Sequence, residues 1–523
     1  MRRRHFLASV SASLAAPAIA RAEAATTLKV IPYADLALLD PIVSAFITRN
    51  HVLMVFDTLF AMDDAGVARP QMLEGYTTEP DGLTWTLTLR EGLLFHDGTP
   101  VLARDVVASL KRWWVIDAFG QSLAAATDEL SAPDDRRIKF RLKRKFHLLP
   151  EALAHPTNVV AAIMPERLAN TSPVSRITEM VGSGPFRYLA NERVPGARNH
   201  YARFEGYRPR DEKPSFCAGA RIAHFDRVEW ITTPDPSTQV AALRAGEVDF
   251  VEQPLMDLVG TIRADRALVA DVLETKGLIG FLRFNQLFPP FDNPAIRRAV
   301  LKAVDQKAFM EAVVGGNAPY DAACGFFTPG TPYANDAGMD ALSGRHDPAA
   351  IRKELEAAGY DGRKVIFLSP TDVPRIAAVA EVAVDMLRKI GMNVDNVATD
   401  WGTTVQRTLS RQPPDKGGWH MYTAFIGGYE TSWPTTNQQI RGNGMAAANG
   451  WPTAPELEHL RDAWFDTEDQ AALTDLARRI QAQAMLDVPY VPVGAYMQPA
   501  AWKANLTGFN KGLVQFTGVR RMT

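Results

Sequence analysis

The sequence predicts a multidomain α/β protein, on three observations. Its 523 residues exceed what one hydrophobic core usually organises, so two or three domains are expected. The stretch 364–398 reads as strand, helix and strand, a crossover that makes its two strands parallel. Earlier, Leu83, Trp85, Leu87 and Leu89 alternate with threonines as in a strand with one buried face. After a turn, Ala103, Val106, Val107, Leu110 and Trp113 fall at helical spacing.

The chain starts "MRRRHFLASVSASLAAPAIARAEA", with a basic head at Arg2, Arg3 and Arg4, an apolar run over 6–16, and small-residue cleavage sites ending at Ala20, Ala22 and Ala24. Residues 1–24 therefore read as an export signal that is removed. Arg3-Arg4-His5-Phe6-Leu7 fits the twin-arginine pattern. No cysteine follows the apolar run, so no lipid anchor is expected, and the mature chain is placed in the periplasm. No later stretch approaches ~18 uninterrupted apolar residues, the length that a membrane-spanning helix needs. A formal charge of −2, with 46% apolar and 22% charged residues, describes an ordinary globular protein. It supplies no global field to hold nucleic acid or an anionic membrane.

Taken in order, the first strand, around 83–89, is turned by Asp97-Gly98 into the helix that opens at Ala103. His96 and Asp97 sit at this corner. Such a pair can ligate a metal or activate water, but no second histidine or carboxylate stands at i+4, so backbone geometry is the better reading. Asp235-Pro236, Asn293-Pro294 and Asp347-Pro348 each place a capping side chain before a proline whose missing N–H costs the first helical turn nothing. The first of these helices stops at Gly246 before the strand "VDFV", and the third stops at Gly359.

The crossover follows: "KVIFL", a helix over 375–390, and "MNVDNVA". Ligands of open α/β sheets collect beyond the carboxyl ends of the strands. Those ends are "SPTDVPR" at 369–375, which holds Thr371 and Asp372, and "TDWGT" at 399–403, which holds Trp401. A later strand, "HMYTAFI", empties into "GGYETSWPTTNQ" at 427–438, whose glycines, aromatics and hydroxyls make it the best recognition loop. Gly428 and Tyr429 lie in it with Glu430 and Trp433. Trp401, Tyr429 and Trp433 are candidates to stack on a ligand, Glu430 to pair with a cation, Arg441 to fork a carboxylate, and Asn285 to offer an amide.

Catalytic patterns are absent from the sequence: no G-x-S-x-G, H-E-x-x-H, Walker loop or G-x-G-x-x-G occurs. The ten histidines are never paired at metal spacing, so no metal held by imidazoles and no cofactor are expected. Two cysteines, Cys217 and Cys324, cannot form a disulfide framework in so long a chain.

These residues resemble the family 5 solute-binding proteins of ABC importers, the dipeptide, oligopeptide and nickel type. The resemblance spans essentially the whole mature chain. It is carried above all by "DGLTWTLTLREGLLFHDGTPVLARDVVASL", and further by "GSGPFRY", "ALRAGEVDF", "FNQLFPPFDNPAIRRAVLKAVDQ", "HDPAAIRKELEAAGYDG" and "LRKIGMNV". It implies a periplasmic-binding-protein-like fold: two α/β lobes joined by a hinge, plus a small inserted domain. The first lobe is split over 25–57, 182–280 and 495–523, the inserted domain covers 58–181, and the other lobe covers 281–494. Cys217 and Cys324 then lie in different lobes, where a bridge would clamp the opening motion, so they are expected to be unbonded. Tyr33, Ala34 and Asp35, after the first strand, are expected on the opposite wall of the cleft from Trp401.

Two departures from the family pattern stand out. Members that bind peptides commonly hold the free amine with an aspartate in the loop after a tryptophan-containing strand. This chain reads "FIGGYETSWPTT" there, with Glu430 as the nearest acid. Leu102 stands where a capping Ser or Thr is common, which weakens the helix start by ~1 kcal/mol. The resemblance implies a monomer that is not an enzyme. It captures a small peptide or amino-acid-derived solute and delivers it to a membrane permease, with no nucleic-acid partner. The alternatives are an exported hydrolase working through His96 and Asp97, and a carrier of a nickel or other metal complex.

Overall fold

A computed structural model describes residues 26–43, 45–316, 318–342 and 347–522; the export signal read over 1–24 lies outside them. Among the described residues the strands form sheets of seven, six and four strands and two short pairs. The seven-stranded sheet runs Leu268–Val272, Pro499–Lys503, Phe250–Val251, Thr27–Ile31, Arg227–Ile231, Arg198–Arg203 and Phe186–Tyr188. Its central strand, Thr27–Ile31, pairs in parallel with both Arg227–Ile231 and Phe250–Val251. Three stretches distant in sequence thus build one sheet.

The six-stranded sheet runs Tyr320–Asp321, Tyr490–Tyr496, Leu278–Phe284, Met421–Gly427, Lys364–Pro370 and Asn393–Thr399. The expected crossover is present: Lys364–Pro370 and Asn393–Thr399 pair in parallel from Lys364 opposite Asn393 to Pro370 opposite Thr399. The helix Pro374–Lys389 connects them and buries Ile376, Val379, Ala383 and Leu387 at helical spacing. The four-stranded sheet, Leu73–Thr78, Thr84–Leu89, Arg137–Leu142 and Thr127–Ser131, is antiparallel throughout. Its strand Thr84–Leu89 alternates buried Trp85, Leu87 and Leu89 with half-buried threonines, as the period-two pattern requires. The molecule is two α/β lobes with a smaller body set into the first, and the chain passes between the two large sheets at 273–277 and at 497–498.

Capping chemistry sets where helices begin. The side chains of Asp235, Asn293 and Asp347 accept from Thr238, Ala295 and Ala349 N–H, each with proline in the first turn. At Leu102 no side-chain cap exists, but half a capping box does: the Asp105 carboxylate accepts the Leu102 N–H at 2.8 Å and the Glu166 N–H at 2.7 Å. That acid offsets part of the expected cost.

The opening corner is structural. His96 is buried; its Nε2 donates to the Gly184 carbonyl at 3.0 Å and its Nδ1 accepts from Gly182 N–H at 3.3 Å. Burial holds the imidazole down at about 4, so it is neutral. Asp97 accepts from the Thr99 N–H and hydroxyl. A Cβ at Gly182 or Gly184 would lie within 2.8 Å of backbone 54–56, so only glycine lets this segment approach. Cys217 and Cys324 are free and buried.

Candidate functional site

Five parallel strand ends converge on one cleft. Thr27–Ile31 runs into Tyr33, Ala34 and Asp35; Arg227–Ile231 into Thr232 and Thr233; Phe250–Val251 into Gln253. From the other lobe, Lys364–Pro370 runs into Asp372 and Arg375, and Asn393–Thr399 into Asp400 and Trp401. All these residues line a cavity of about 900 Å³ between the lobes. Carboxyl ends of parallel strands leave backbone groups and loop side chains facing one crevice, which is where such sheets hold ligands. The volume lies within the range of roughly 300–1,000 Å³ found for small-molecule sites.

Tyr33, Ala34 and Asp35 form one wall, with Asp35 accepting from the Thr232 hydroxyl at 3.3 Å. Trp401 faces them as the first residue of the helix Trp401–Thr408. Its N–H is held by Asp372 Oδ1 at 2.8 Å, while Asp400 caps the helix through Thr403 N–H. Asp372 therefore positions Trp401, and Thr371 stands beside it, exposed, bonded back to the Thr399 carbonyl.

Arg375 was not among the residues singled out by pattern, although "SPTDVPR" ends on it. Its guanidinium lies 5.0 Å from the Tyr33 ring centroid and 5.7 Å from that of Phe425, and one arm donates to Gln253. Its Nε is buried and has no partner. A forked cation held over two aromatic faces in a cleft is built to receive an anion.

The remaining predicted residues lie elsewhere. Asn285 is fully buried and donates to the Trp419 carbonyl at 3.0 Å while accepting from Leu287 N–H; it shapes its own turn at the opposite end of the strand Leu278–Phe284 from the crossing. Arg441 pairs with Glu458 at 3.0 Å and reaches the Ala118 carbonyl, a bond between the lobe and the small body. The loop 427–438 does not line the 900 Å³ cavity. It packs against the small body and the first lobe: Tyr429 stacks on Phe216 with centroids 4.4 Å apart, and Trp433 lies edge-on to His155 at 6.1 Å. Gly428 allows this, since a Cβ there would sit 2.0 Å from the Lys276 carbonyl oxygen. Glu430 is buried, which raises its carboxyl to about 8, and its Oε1 has no partner.

Among the described residues no group of three or more His, Cys, Asp or Glu is placed to hold a metal, and no helix is long and apolar enough to cross a membrane.

Residues 68–444 match the model of the bacterial extracellular solute-binding proteins, family 5, middle region. A probable peptide ABC transporter periplasmic-binding protein, y4tO, of Sinorhizobium fredii is 35% identical over 506 residues, 96% of this chain and 95% of that protein. The glutathione-binding protein GsiB of Salmonella typhimurium is 25% identical, with 87% of this chain and 86% of that protein covered. Among solved structures, the binding protein AgaA of A. tumefaciens R10, in complex with agropinic acid, superposes with a TM-score of 0.79 at 22% identity, covering 95% of this chain and 99% of that one. DppA of Helicobacter pylori, in complex with the peptide STSA, gives 0.78 at 20%, covering 96% and 100%.

Proposed function

The chain belongs to the family 5 bacterial extracellular solute-binding proteins, the solute-capturing components of ABC importers, and on that premise we propose that it binds a small peptide-like or amino-acid-derived solute bearing a carboxylate. The observation that carries the solute class is Arg375, whose guanidinium faces the cleft over Tyr33 and Phe425 with Nε unpartnered. Trp401 and Tyr33, on opposite walls, supply aromatic surface, and Asp35 and Thr232 supply polar groups. The names of the relatives, a peptide transporter component and a glutathione-binding protein, point the same way.

In this reading the bodies divide as the resemblance implies: a split first lobe over 25–57, 182–280 and 495–523, an inserted domain over 58–181, and a second lobe over 281–494. The crossings at 273–277 and 497–498 serve as the hinge. The solute closes the lobes because it touches both; a ligand shifts an equilibrium only by its differential affinity for the two states. No bond in the solute is broken. The protein acts as a monomer in the periplasm, freed of its 1–24 signal and without a lipid anchor, and hands its cargo to a permease in the cytoplasmic membrane.

A thermal-shift screen tests this. Dipeptides, opine-like amino-acid conjugates, sugars, polyamines and chelated metals are compared, since a tight binder raises the melting point by mass action. A carboxylate-bearing amino-acid compound is expected to give the largest shift, and Arg375→Ala to abolish it. A response confined to sugars or chelated metals, or steady conversion of the bound compound, overturns the reading.

A further inference from the structure

The second lobe meets the small body along a seam outside the cleft. The small body is tied to the first lobe by the buried Arg112–Asp40 pair and by His96 donating to the Gly184 carbonyl, so it travels with that lobe, and opening the hinge parts it from the second. Across the seam Gln438 Nε2 donates to Asp117 Oδ2 at 3.2 Å, Arg441 Nη1 to the Ala118 carbonyl at 3.4 Å, and the Asn158 N–H to the Glu430 carboxyl. Asp117 also caps its own helix, Ala118–Ala126, by accepting the Gly120 N–H at 2.8 Å. The seam thus buries one carboxyl from each side, Asp117 at 2% exposure and Glu430 at 6%.

Glu430 is poorly provided for as an anion. Its Oε1 is buried and has no partner. The charged groups that face it are Arg49 of the first lobe, Glu274 of the crossing and Asp117 of the small body. Arg49 lies 3.9 Å from Glu274, so the cation among them is already matched to an acid, and Asp117 adds a like charge from across the seam. His155 presents a neutral ring to Trp433, with both nitrogens buried and unpartnered. On the loop's other side Arg461 holds the Pro434 carbonyl and Arg441 the Glu458 carboxylate. Burial without a free countercharge penalises the carboxylate and favours the neutral acid. A protonated carboxyl also brings a hydroxyl donor, and Asn158, whose N–H already reaches Glu430, carries a buried acceptor, Oδ1, that has no partner. Burial accordingly raises Glu430 to about 8 and Asp117 to about 6.

We propose that closing the second lobe onto the small body takes up one proton from solvent at Glu430, so that the closed form is favoured as pH falls. Opening withdraws the loop 427–438 from the small body, water reaches the carboxyl, and it ionises, releasing the proton to solvent; closing reverses each step. Because the closed form raises Glu430, its contribution to closing is complete below its ordinary value of 4.5 and is lost as pH rises through about 8. From about pH 8 down to about 6.5 the closed-to-open ratio therefore rises by up to about tenfold per pH unit. Below 6.5 the trend flattens, because His155 and His147, both pushed down by burial in the closed seam, gain protons in the open form; His147 faces Glu468 of the second lobe at 4.0 Å. The device rests on the hinged closing in the proposed function and on no particular solute.

The probe is pH itself, applied to the full mature chain without solute. Small-angle scattering should give a smaller radius of gyration at about pH 6.5 than at about pH 9, the closed-to-open ratio differing on the order of tenfold or more. Glu430→Gln, close in shape to the native residue and unable to titrate, should be as closed at pH 9 as at pH 6.5. Infrared spectra give a second readout on the native chain: the C=O stretch of a protonated carboxyl at about pH 7, lost as pH rises through about 8 and missing from Glu430→Gln. A native radius indifferent to pH, a trend that persists in Glu430→Gln, or a carboxyl band that Glu430→Gln leaves unchanged overturns the device. If radius and band follow pH as described but the solute screen finds no carboxylate-bearing compound, the device stands and the functional reading falls. If the screen finds such a compound while the native radius ignores pH, the functional reading stands and the device falls.

Discussion

Replacing Phe465 by alanine should loosen the closed form more than it damages either lobe. Phe465 ends the helix Pro455–Phe465, whose Leu457, Leu460 and Trp464 pack in the second lobe's core. Its own ring instead joins the core of the first lobe and small body: it stacks on Phe146 with centroids 5.5 Å apart and lies 5.7 Å from Phe119. The ring is 2% exposed. Truncating a buried phenylalanine typically costs about 3–5 kcal/mol, and here most of that contact exists only when the bodies meet. A loss of about 3 kcal/mol from the closed state alone lowers the closed-to-open ratio on the order of 100-fold. Where the free protein samples the closed form appreciably, the closed fraction and with it the apparent affinity fall by tens of fold, since affinity scales with the fraction competent to bind. Small-angle scattering should show a larger radius of gyration for the free variant, and calorimetry a weaker solute affinity. Leu457→Ala, buried wholly in the second lobe, serves as control: it should lower the melting point and leave affinity near native. If Phe465→Ala behaves like Leu457→Ala in both measurements, the ring is an ordinary core residue and the latch is refuted.

Other outcomes follow from the same contacts. Arg112 and Asp40, both 1% exposed at the side chain, form a two-pronged pair at 2.8 Å; Arg112→Met leaves Asp40 buried without its cation and should cost about 3–5 kcal/mol in denaturant unfolding, and a loss under about 1 kcal/mol would show that solvent reaches the acid. His96 and His155 are held neutral at about 4 and about 3 by burial. The unfolded chain therefore binds more protons than the folded one below the ordinary histidine value of 6.5, so their share of stability is lost as pH falls from there toward 3, and acid melting curves should shift accordingly. Glu430 and Glu252 have the opposite sign: raised to about 8 and about 7, they favour the folded state below their ordinary value of 4.5, and that advantage is lost as pH rises through 7 and 8. Glu430→Gln should flatten the alkaline limb of the melting profile, and an unchanged limb would mean that the carboxyl is solvated. Cys217, pushed up to about 11 by burial, should not react with a thiol reagent until the protein is unfolded; rapid labelling of the native chain would contradict its burial.

Legibility in the sequence followed the range of the interactions involved. The crossover, the capped helix starts and the His96 corner depend on neighbours a few residues apart, and period and turn chemistry report them directly. The cleft wall at Asp372 and Trp401 was reachable because strand carboxyl ends face it by topology, and Tyr33 and Asp35 through the family resemblance. The loop 427–438 obeys the same rule, yet its strand, Met421–Gly427, ends where Gly428 passes against Lys276 and where Phe216 of the first lobe and His155 of the small body cover it, contacts between segments far apart in the chain. Asn285 also follows a strand, but Leu278–Phe284 runs antiparallel to its neighbours, so its carboxyl end points away from the cleft. Arg375 was concealed by ordinariness, since one arginine in the first turn of a helix resembles many surface arginines. Arg49 and Glu274 carry no motif at all; they become notable only when folding brings them together and leaves Arg49 Nε and Nη1 and Glu274 Oε1 without partners.

The two contacts between the bodies have opposite characters, and their balance makes the solute decisive. The aromatic contacts around Phe465 and Tyr429 bury apolar surface whether or not a solute is present, so they favour closure indifferently. Glu430, on the second-lobe loop that packs against Phe216, works against closure, because closing strips water from a carboxyl whose Oε1 then lacks a partner. Aromatic contact alone would hold the empty protein shut and leave a permease nothing to read. Polar contact alone would require the solute to supply the whole free energy of closing. With both opposing each other, a solute that touches both lobes need contribute only the few kcal/mol by which buried polar groups resist closing. Glu430→Met, which removes the buried carboxyl at the seam, should therefore favour closure without solute, detectable as a smaller free-state radius of gyration in scattering. An unchanged or larger radius would show that the buried carboxyl does not oppose closure.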